Sequence, residues 1–336
     1  MSFRLKTADC NILECFAEYR VLTVSQVAAI FHKSRQVTRR RLHDLEERGL
    51  VEIVGTEFGR GRGRPENLLG LTERGIDILK EKELLTQDMS YDKVLGDSLF
   101  AKDHQLLVNW FRIHLKEIER ALPRLSIKVH AQNSPFLPKG QDGRILIADC
   151  SPVPGSGTKG IKFTPDAVFT IADSVAGKTC LFFLEVDCGT ETIASPKRDM
   201  KDVRQKIVNY QWYFHSGGYK RYEEVFAAKL RGFRLLFLTS THGRLVALCQ
   251  LAQEMKPSNF IWLTECGRIF AEDLHSKTMI GRFSNSKIYN FGHRFAIMHR
   301  YQNIGGLQIT MDNTFLMCMM YSVTHRDEQF KTLSHI

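Results

Sequence analysis

TPDAVFTI at residues 164–171 and TCLFFLEVD at 179–187 are the stretches on which the fold turns. The second is apolar without a break from Cys180 to Leu184 and turns acidic only at Glu185 and Asp187, as expected of a strand covered on both faces. FRLLFLTS (233–240) has the same character, and SIKVHAQ (126–132) and FIWLT (260–264) are further strand-like pieces. Helical periodicity precedes them at 102–121 and lies between them at about 196–215, 219–230 and 243–255. The order predicts an α/β (α+β) domain with a mixed central sheet flanked by helices. Residues 135–163, rich in Pro, Gly and Ser, read as an irregular insertion. No repeat of 20–50 residues is visible.

Three acids stand at the strand ends. Asp166 follows Pro165 at the start of one strand, and Glu185 and Asp187 close the next. Residues two apart on a strand share a face, so a hairpin would turn Glu185 and Asp187 together towards Asp166. Oxygen ligands converging in this way suit Mg²⁺ or Mn²⁺. Such an ion would activate water and stabilise the charge on a scissile phosphate. The helix that follows supplies Gln205, Lys206 and Tyr210, with Lys206 and Tyr210 four apart on one face. Thr190 and Glu191 suit either substrate positioning or capping of the next turn, with capping the favoured reading. Tyr210, Trp212, Tyr213 and Phe214 read as core rather than as a base-stacking platform. Neither a Walker A loop nor a zinc-type His or Cys spacing is present, which argues against an ATPase or a zinc site.

Composition narrows the partners. The 336 residues carry a formal charge of +10. Residues 1–85 hold 15 basic and 13 acidic side chains, 86–200 hold 14 of each, and 201–336 hold 18 and 10. The first segment is nearly neutral, so any grip on nucleic acid there depends on local clustering. Eight scattered cysteines without a Cys-x-x-Cys pair fit free thiols in a cytoplasmic setting. No apolar run suits a membrane span, and MSFRLKTADCNILECF lacks the pattern of a secretory signal.

The clustering is found in two places. Residues 9–19 place Ile12, Leu13, Phe16 and Tyr19 at helical spacing behind Asp9 as a cap. Thr23-x-x-Gln26 opens a second helix with a capping box, and Ser34 caps a third that Gly49 stops. In the third helix Val37, Leu42 and Leu45 are expected to face inward. Arg35, Gln36, Thr38, Arg39 and Arg40 are left outward, with no acid before Asp44. Leu50, Ile53 and Val54, then Leu68, Leu69 and Leu71, predict a hairpin. Its tip is the Gly-Arg alternation at Arg60, Arg62 and Arg64, and Thr72 caps a closing helix. This is the plan of a winged helix-turn-helix that inserts its third helix into the major groove of double-stranded DNA and lays its wing along phosphates or a narrow minor groove.

Pro165-Asp166, Glu185-x-Asp187 and Gln205/Lys206 with Tyr210 resemble the core of the PD-(D/E)xK nuclease superfamily. The whole organisation, over roughly residues 10–265, is similar to the plasmid replication-relaxation family, which is associated with plasmid replication and DNA relaxation. The resemblance implies that Asp166 and Glu185 ligate the metal. It also makes Lys206-x-x-x-Tyr210 the third motif of the branch with a Gln-x-x-x-Tyr signature, and His104 an additional residue beside the metal. The lysine usually found two residues after the Glu is here Asp187, so Lys206 would have to take its role, with Asp187 a further ligand or water-orienting group. The expected activity is metal-dependent nicking or cutting of DNA. The alternative is a non-catalytic DNA-binding replication accessory or regulator that uses the nuclease fold as scaffold. The expected domains are 1–85 (winged helix), 86–100 (linker), 101–275 (nuclease-like) and 276–336, a tail compatible with completing the sheet, forming a homodimer surface or contacting DNA. Further protein partners stay open.

Overall fold

The computed structural model describes residues 5–56, 65–96, 101–137, 145–152, 160–195, 202–269 and 289–290. The chain divides into two compact units, Met1–Leu115 with His130–Leu146, and Lys116–Val129 with Ile147–Ile336.

The first unit opens with α1 (Thr7–Tyr19), which buries the expected stripe of Ile12, Leu13, Phe16 and Tyr19. Its cap is Lys6 and not Asp9. Asp9 lies in the first turn, where a carboxylate is favoured by the helix dipole. It accepts the Lys6 backbone N–H at 2.9 Å and pairs with Arg41. A short β1 (Val21–Thr23) leads into α2 (Val24–Phe31) through the anticipated capping box. Thr23 Oγ1 accepts the Gln26 N–H at 3.2 Å, and Gln26 Oε1 accepts the Thr23 N–H at 3.1 Å. After α3 (Arg35–Glu47) comes Gly49, whose φ of 64° is a left-handed conformation that a side chain would strain. The hairpin β2 (Val51–Thr56) and β3 (Asn67–Leu71) pairs antiparallel, and β1 joins it in the order β1-β3-β2. Then α4 (Glu73–Glu81) starts on Thr72, whose hydroxyl accepts the Gly75 N–H at 3.0 Å. Leu13, Phe16, Leu45, Leu71 and Leu79 meet in one core. Each such side chain, fully buried, contributes about 1.5–3 kcal/mol.

Two expected boundaries move. The expected linker, of which residues 97–100 lie outside the described residues, contains α5 (Tyr91–Leu95), and its Val94 joins the same core as Leu13 and Leu71. Leu95 packs on β3 at Gly70, where a Cβ would lie 2.7 Å from Leu95 Cδ2, so the glycine admits the helix. The first unit also takes α6 (Lys102–Ala121) as far as Leu115. The reason is polar as much as apolar. Asn109 Nδ2 donates to the carbonyls of Tyr19 (3.1 Å) and Val21 (2.7 Å), and Gln26 Nε2 donates to the Leu106 carbonyl at 3.2 Å. Arg112 pairs with Glu18 and lies 4.1 Å above the Tyr19 ring. Buried amides that satisfy buried carbonyls are costly to break.

The second unit is built on a six-stranded mixed sheet. After β4 (Leu125–Ala131), a small antiparallel hairpin, β5 (Asp149–Pro152) and β6 (Gly160–Phe163), occupies the stretch expected to be irregular. It is held by a buried acid that composition does not reveal. Asp149 pairs with Arg221 and accepts the Tyr222 hydroxyl at 2.6 Å, while Ser151 Oγ donates to the Asn209 carbonyl at 2.9 Å. Burial raises the Asp149 pKa against the opposing pull of Tyr222 and Arg221. Next come β7 (Ala167–Asp173), β8 (Lys178–Asp187), α7 (Val203–Ser216), α8 (Tyr222–Phe226), β9 (Phe233–Thr239), α9 (His242–Glu254), β10 (Ile261–Glu265) and β11 (Tyr289–Asn290). The sheet order is β11-β10-β9-β8-β7-β4. Strands β8, β9 and β10 run parallel, and β7 is antiparallel to β8, with Ala167 opposite Leu184. Every residue of β8 from Cys180 to Asp187 is buried, as its apolar run predicts. Phe169 and Phe182 stack across β7 and β8 at 4.8 Å, a cross-strand pair that fixes the register. Tyr210 and Tyr213 of α7 pack edge-on against Phe183 at 5.7 and 5.9 Å, so these two members of the aromatic cluster are core, while Trp212 and Phe214 are half-buried.

Candidate functional site

In the first unit the outward face of α3 is the candidate nucleic-acid interface. Ser34 Oγ accepts the Val37 N–H at 3.3 Å and sets the start of the helix. Its buried residues are Thr38, Leu42 and Leu45. The expected phase is therefore corrected by one position: Thr38 faces the core, and Val37 is 54% exposed. Thr38, Leu42 and Leu45 follow the i, i+4, i+7 spacing of one helical face, and Val37 lies about 100° away from Thr38. Gln36, Arg39 and Arg40 are exposed as anticipated.

Arg35 is exposed but engaged. Its guanidinium donates to Glu66 Oε1 at 2.5 Å and through Nε to Ser25 Oγ at 2.7 Å. Ser25 in turn donates its hydroxyl to Glu66 Oε1 at 2.6 Å and its N–H to Oε2 at 3.2 Å. Glu66, just before β3, thus ties α2, α3 and the base of the hairpin together. Arg35 holds the interface in place, whereas Arg39 and Arg40 face outward. Neither Ser25 nor Glu66 was legible as a partner, because both lie far from Arg35 in sequence. Arg60, Arg62 and Arg64 lie outside the described residues, as does the tail 276–336 apart from residues 289–290.

In the second unit the acids gather at the end of β8. Asp166 precedes β7; its N–H donates to the Leu184 carbonyl at 3.1 Å, and its Oδ2 accepts the Val186 N–H at 2.7 Å. The hairpin expected from sequence therefore brings Asp166 beside Glu185. The two carboxylates of β8 find different partners. Glu185 Oε2 accepts Lys206 Nζ at 3.0 Å, and its Oε1 accepts the Tyr210 hydroxyl at 2.5 Å. Asp187 accepts Arg244 Nε of α9 at 2.8 Å and the Gly189 N–H at 2.7 Å. Lys206 also pairs with Glu191 at 3.1 Å, and Arg244 reaches the Glu191 carbonyl at 2.5 Å. Gln205 turns away to Asn209 Oδ1 at 3.0 Å, and His104 belongs to the first unit. Arg244 was missed as a site residue, and Glu191, read as a turn cap, instead turns its carboxylate to Lys206. Arg244 lies 57 positions after Asp187, and only the parallel pairing of β8 with β9 brings α9 to it.

Burial raises Glu185 to about 7, and the Asp166 charge adds to this, while Lys206 and Tyr210 pull the other way. Burial alone would lower Lys206, but Glu185 and Glu191 hold its ammonium above the usual lysine range. Burial, then the Glu185 charge, raises Tyr210 well above an ordinary phenol, so it remains an O–H donor. These groups form a buried charge network closed by its own cations. As they are bonded, the two carboxylates of β8 already have protein partners: Lys206 and Tyr210 on Glu185, and Arg244 on Asp187. Among the described residues no three His, Cys, Asp or Glu side chains gather into a metal-binding set.

A solved structure, a cysteine-to-serine variant of Lactococcus lactis ZitR, aligns with 21% identity over 35% of this chain and 77% of its own, with a TM-score of 0.21. No curated protein matches the chain. Residues 13–228 match the replication-relaxation family. That stretch runs from the second turn of α1 through α8. It includes α3, Asp166, Glu185, Lys206 and Tyr210, and ends before the helix that carries Arg244. By this match the chain belongs to the replication-relaxation family.

Proposed function

We propose that the protein is a duplex-DNA-binding component of plasmid replication or DNA processing. In this reading α3 of the first unit enters the major groove, and the nuclease-like sheet serves as a scaffold. The observation that carries it is the exposure of Gln36, Arg39 and Arg40 on the outward face of α3, in its first two turns, ahead of its first acid, Asp44. A helix N-terminus adds a partial positive charge that favours phosphate. Family membership supports a replication role without specifying the chemistry.

A second reading, DNA nicking with Mg²⁺ or Mn²⁺, rests on Asp166 acting on the charges of both Glu185 and Lys206, which groups two carboxylates with a lysine. It requires a cation to join Lys206 and Tyr210 on the Glu185 carboxylate or to displace one of them. One experiment separates the two: supercoiled plasmid and labelled duplex are incubated with the protein, with and without Mg²⁺ or Mn²⁺. Duplex binding with the plasmid left intact is the expected result. Metal-dependent nicking lost in both Asp166→Ala and Glu185→Ala would establish the second reading. Failure to bind any duplex would overturn the first.

A further inference from the structure

We propose that α3 reads thymine in the major groove, with the Val37 isopropyl group packing on the 5-methyl group of the base. The inference rests on the DNA-binding reading above and goes beyond it by naming what one side chain recognises. Its starting point is an inversion. The helix places a threonine, Thr38, at 5% exposure and leaves an isopropyl group, Val37, 54% exposed at the adjacent position. Burial alone would favour the reverse. The phase is fixed by Leu42 and Leu45 and by the Ser34 cap, so Val37 is held outward by the whole unit.

The surroundings decide what can cover it. On the helix Val37 has Arg40 and Arg41 as neighbours three and four residues on, and Gln36 beside it, while Lys33 lies in the turn just ahead of the Ser34 cap. Lys33, Gln36, Arg39 and Arg40 are all exposed, so the isopropyl group is a single apolar point in a cationic, hydrogen-bonding face. An apolar protein partner would have to desolvate those cations without pairing them. The major groove offers the complementary pattern: anionic walls, base edges for Gln36 and Arg40, and one apolar feature, the thymine methyl. Charge complementarity therefore commits this face to duplex DNA in preference to a second copy of the chain.

The test uses the full chain. Duplexes bound from a random pool are recovered, and in the tightest of them each thymine is replaced in turn by deoxyuridine. This removes the methyl group and keeps the hydrogen-bonding edge. Affinity is read by fluorescence anisotropy at fixed salt. One deoxyuridine position is expected to weaken binding by about fourfold, the value of one buried methyl-sized group. Val37→Ala should weaken binding to the thymine duplex by a similar factor and lose sensitivity at that position, whereas Val37→Ile should keep it. Binding that is indifferent to every deoxyuridine overturns the proposal and leaves DNA binding intact. So does a Val37→Ala variant that still senses the methyl, or one that changes only the oligomeric state. Absence of binding to any duplex overturns this proposal together with the reading it rests on.

Discussion

Lys206→Met is the perturbation that asks most directly whether the cluster at the end of β8 is a closed charge network. In the wild type Lys206 Nζ lies 3.0 Å from a Glu185 carboxylate whose side chain is only 6% exposed. Deleting one member of a fully buried pair typically costs 3–5 kcal/mol, because the other charge is left uncompensated. Lys206 itself is 30% exposed, so water can partly replace it, and without it Glu185, already raised to about 7, takes up a proton near neutral pH; the cost falls to about 1–3 kcal/mol. Tyr210 still donates to Glu185 in the variant, which limits the loss. Glu185→Gln should cost less, about 1–2 kcal/mol, since it removes the desolvated charge and leaves Lys206 paired with Glu191. The double variant carries no orphaned carboxylate. It should therefore be more stable than the sum of the single losses by about 1–3 kcal/mol. Urea denaturation at pH 7.5, followed by tryptophan fluorescence and circular dichroism, gives all three values. Additive losses within about 0.5 kcal/mol would mean that Lys206 and Glu185 do not support each other, and the closed-network reading would be refuted.

Three further outcomes follow from the same geometry. Arg39→Ala should weaken duplex binding across sequences and flatten its log–log salt dependence by about 0.9 for every phosphate the side chain had neutralised, whereas Arg40→Ala should relax sequence preference; an unchanged slope in the first and an unchanged preference in the second would remove α3 from the interface. Wild-type thermal melts should not move on adding millimolar Mn²⁺, because Lys206, Tyr210 and Arg244 already compensate the carboxylates; a ligand that binds only the folded state raises the midpoint, so an upward shift that is lost in Asp166→Ala and Glu185→Ala would show that the acids hold a cation. The third concerns His114, buried on α6, where desolvation lowers its pKa to about 4. Below about 6.5 the unfolded chain takes up a proton that the folded chain refuses. Stability should therefore fall as the pH drops from about 6.5 to 4, by up to about 1.4 kcal/mol per pH unit. His114→Asn should remove that part of the slope in urea titrations at pH 7.5 and 5, and an identical slope in the variant would refute the assignment.

Local signals carried well from sequence to structure, and signals that depend on distant chain did not. The Thr23–Gln26 box and the caps at Ser34 and Thr72 each involve residues three apart, and all three occur as expected. The burial of β8 was legible because a strand covered on both faces must be apolar at consecutive positions. The partners of Glu185 were legible in part, since Lys206 and Tyr210 share a helical face. Those of Asp187 were not. Two carboxylates on one strand face look alike in sequence, but α7 covers Glu185 with a lysine and a tyrosine while α9 covers Asp187 with Arg244. Topology separated what alternation had grouped. The same holds for Arg35, whose cationic run suggested phosphate, whereas Glu66, 31 residues on, binds it.

The misplaced phase of α3 shows how two rules of burial compete. Choosing the apolar residues selects Val37, Leu42 and Leu45, yet Val37 and Leu42 are five apart, about 140° round the helix, and cannot share one face. Choosing the spacing selects Thr38, Leu42 and Leu45, which span about 60°. Spacing wins because the larger contribution comes from two leucines, at 2% and 0% exposure, that must both reach the core. Against them a single threonine costs little, since its methyl group packs and a hydroxyl in a helix can bond back to a carbonyl one turn earlier. The helix thereby accepts a polar atom inside and an apolar group outside. Relieving the arrangement with Thr38→Val should leave the fold intact and add stability, by about 1 kcal/mol, since it removes a desolvated hydroxyl from the core face. The substitution leaves the outward face untouched, so a gain in stability with unchanged duplex affinity is the expected result. A loss of affinity would mean that Thr38 itself reaches the DNA and that α3 sits in a different phase.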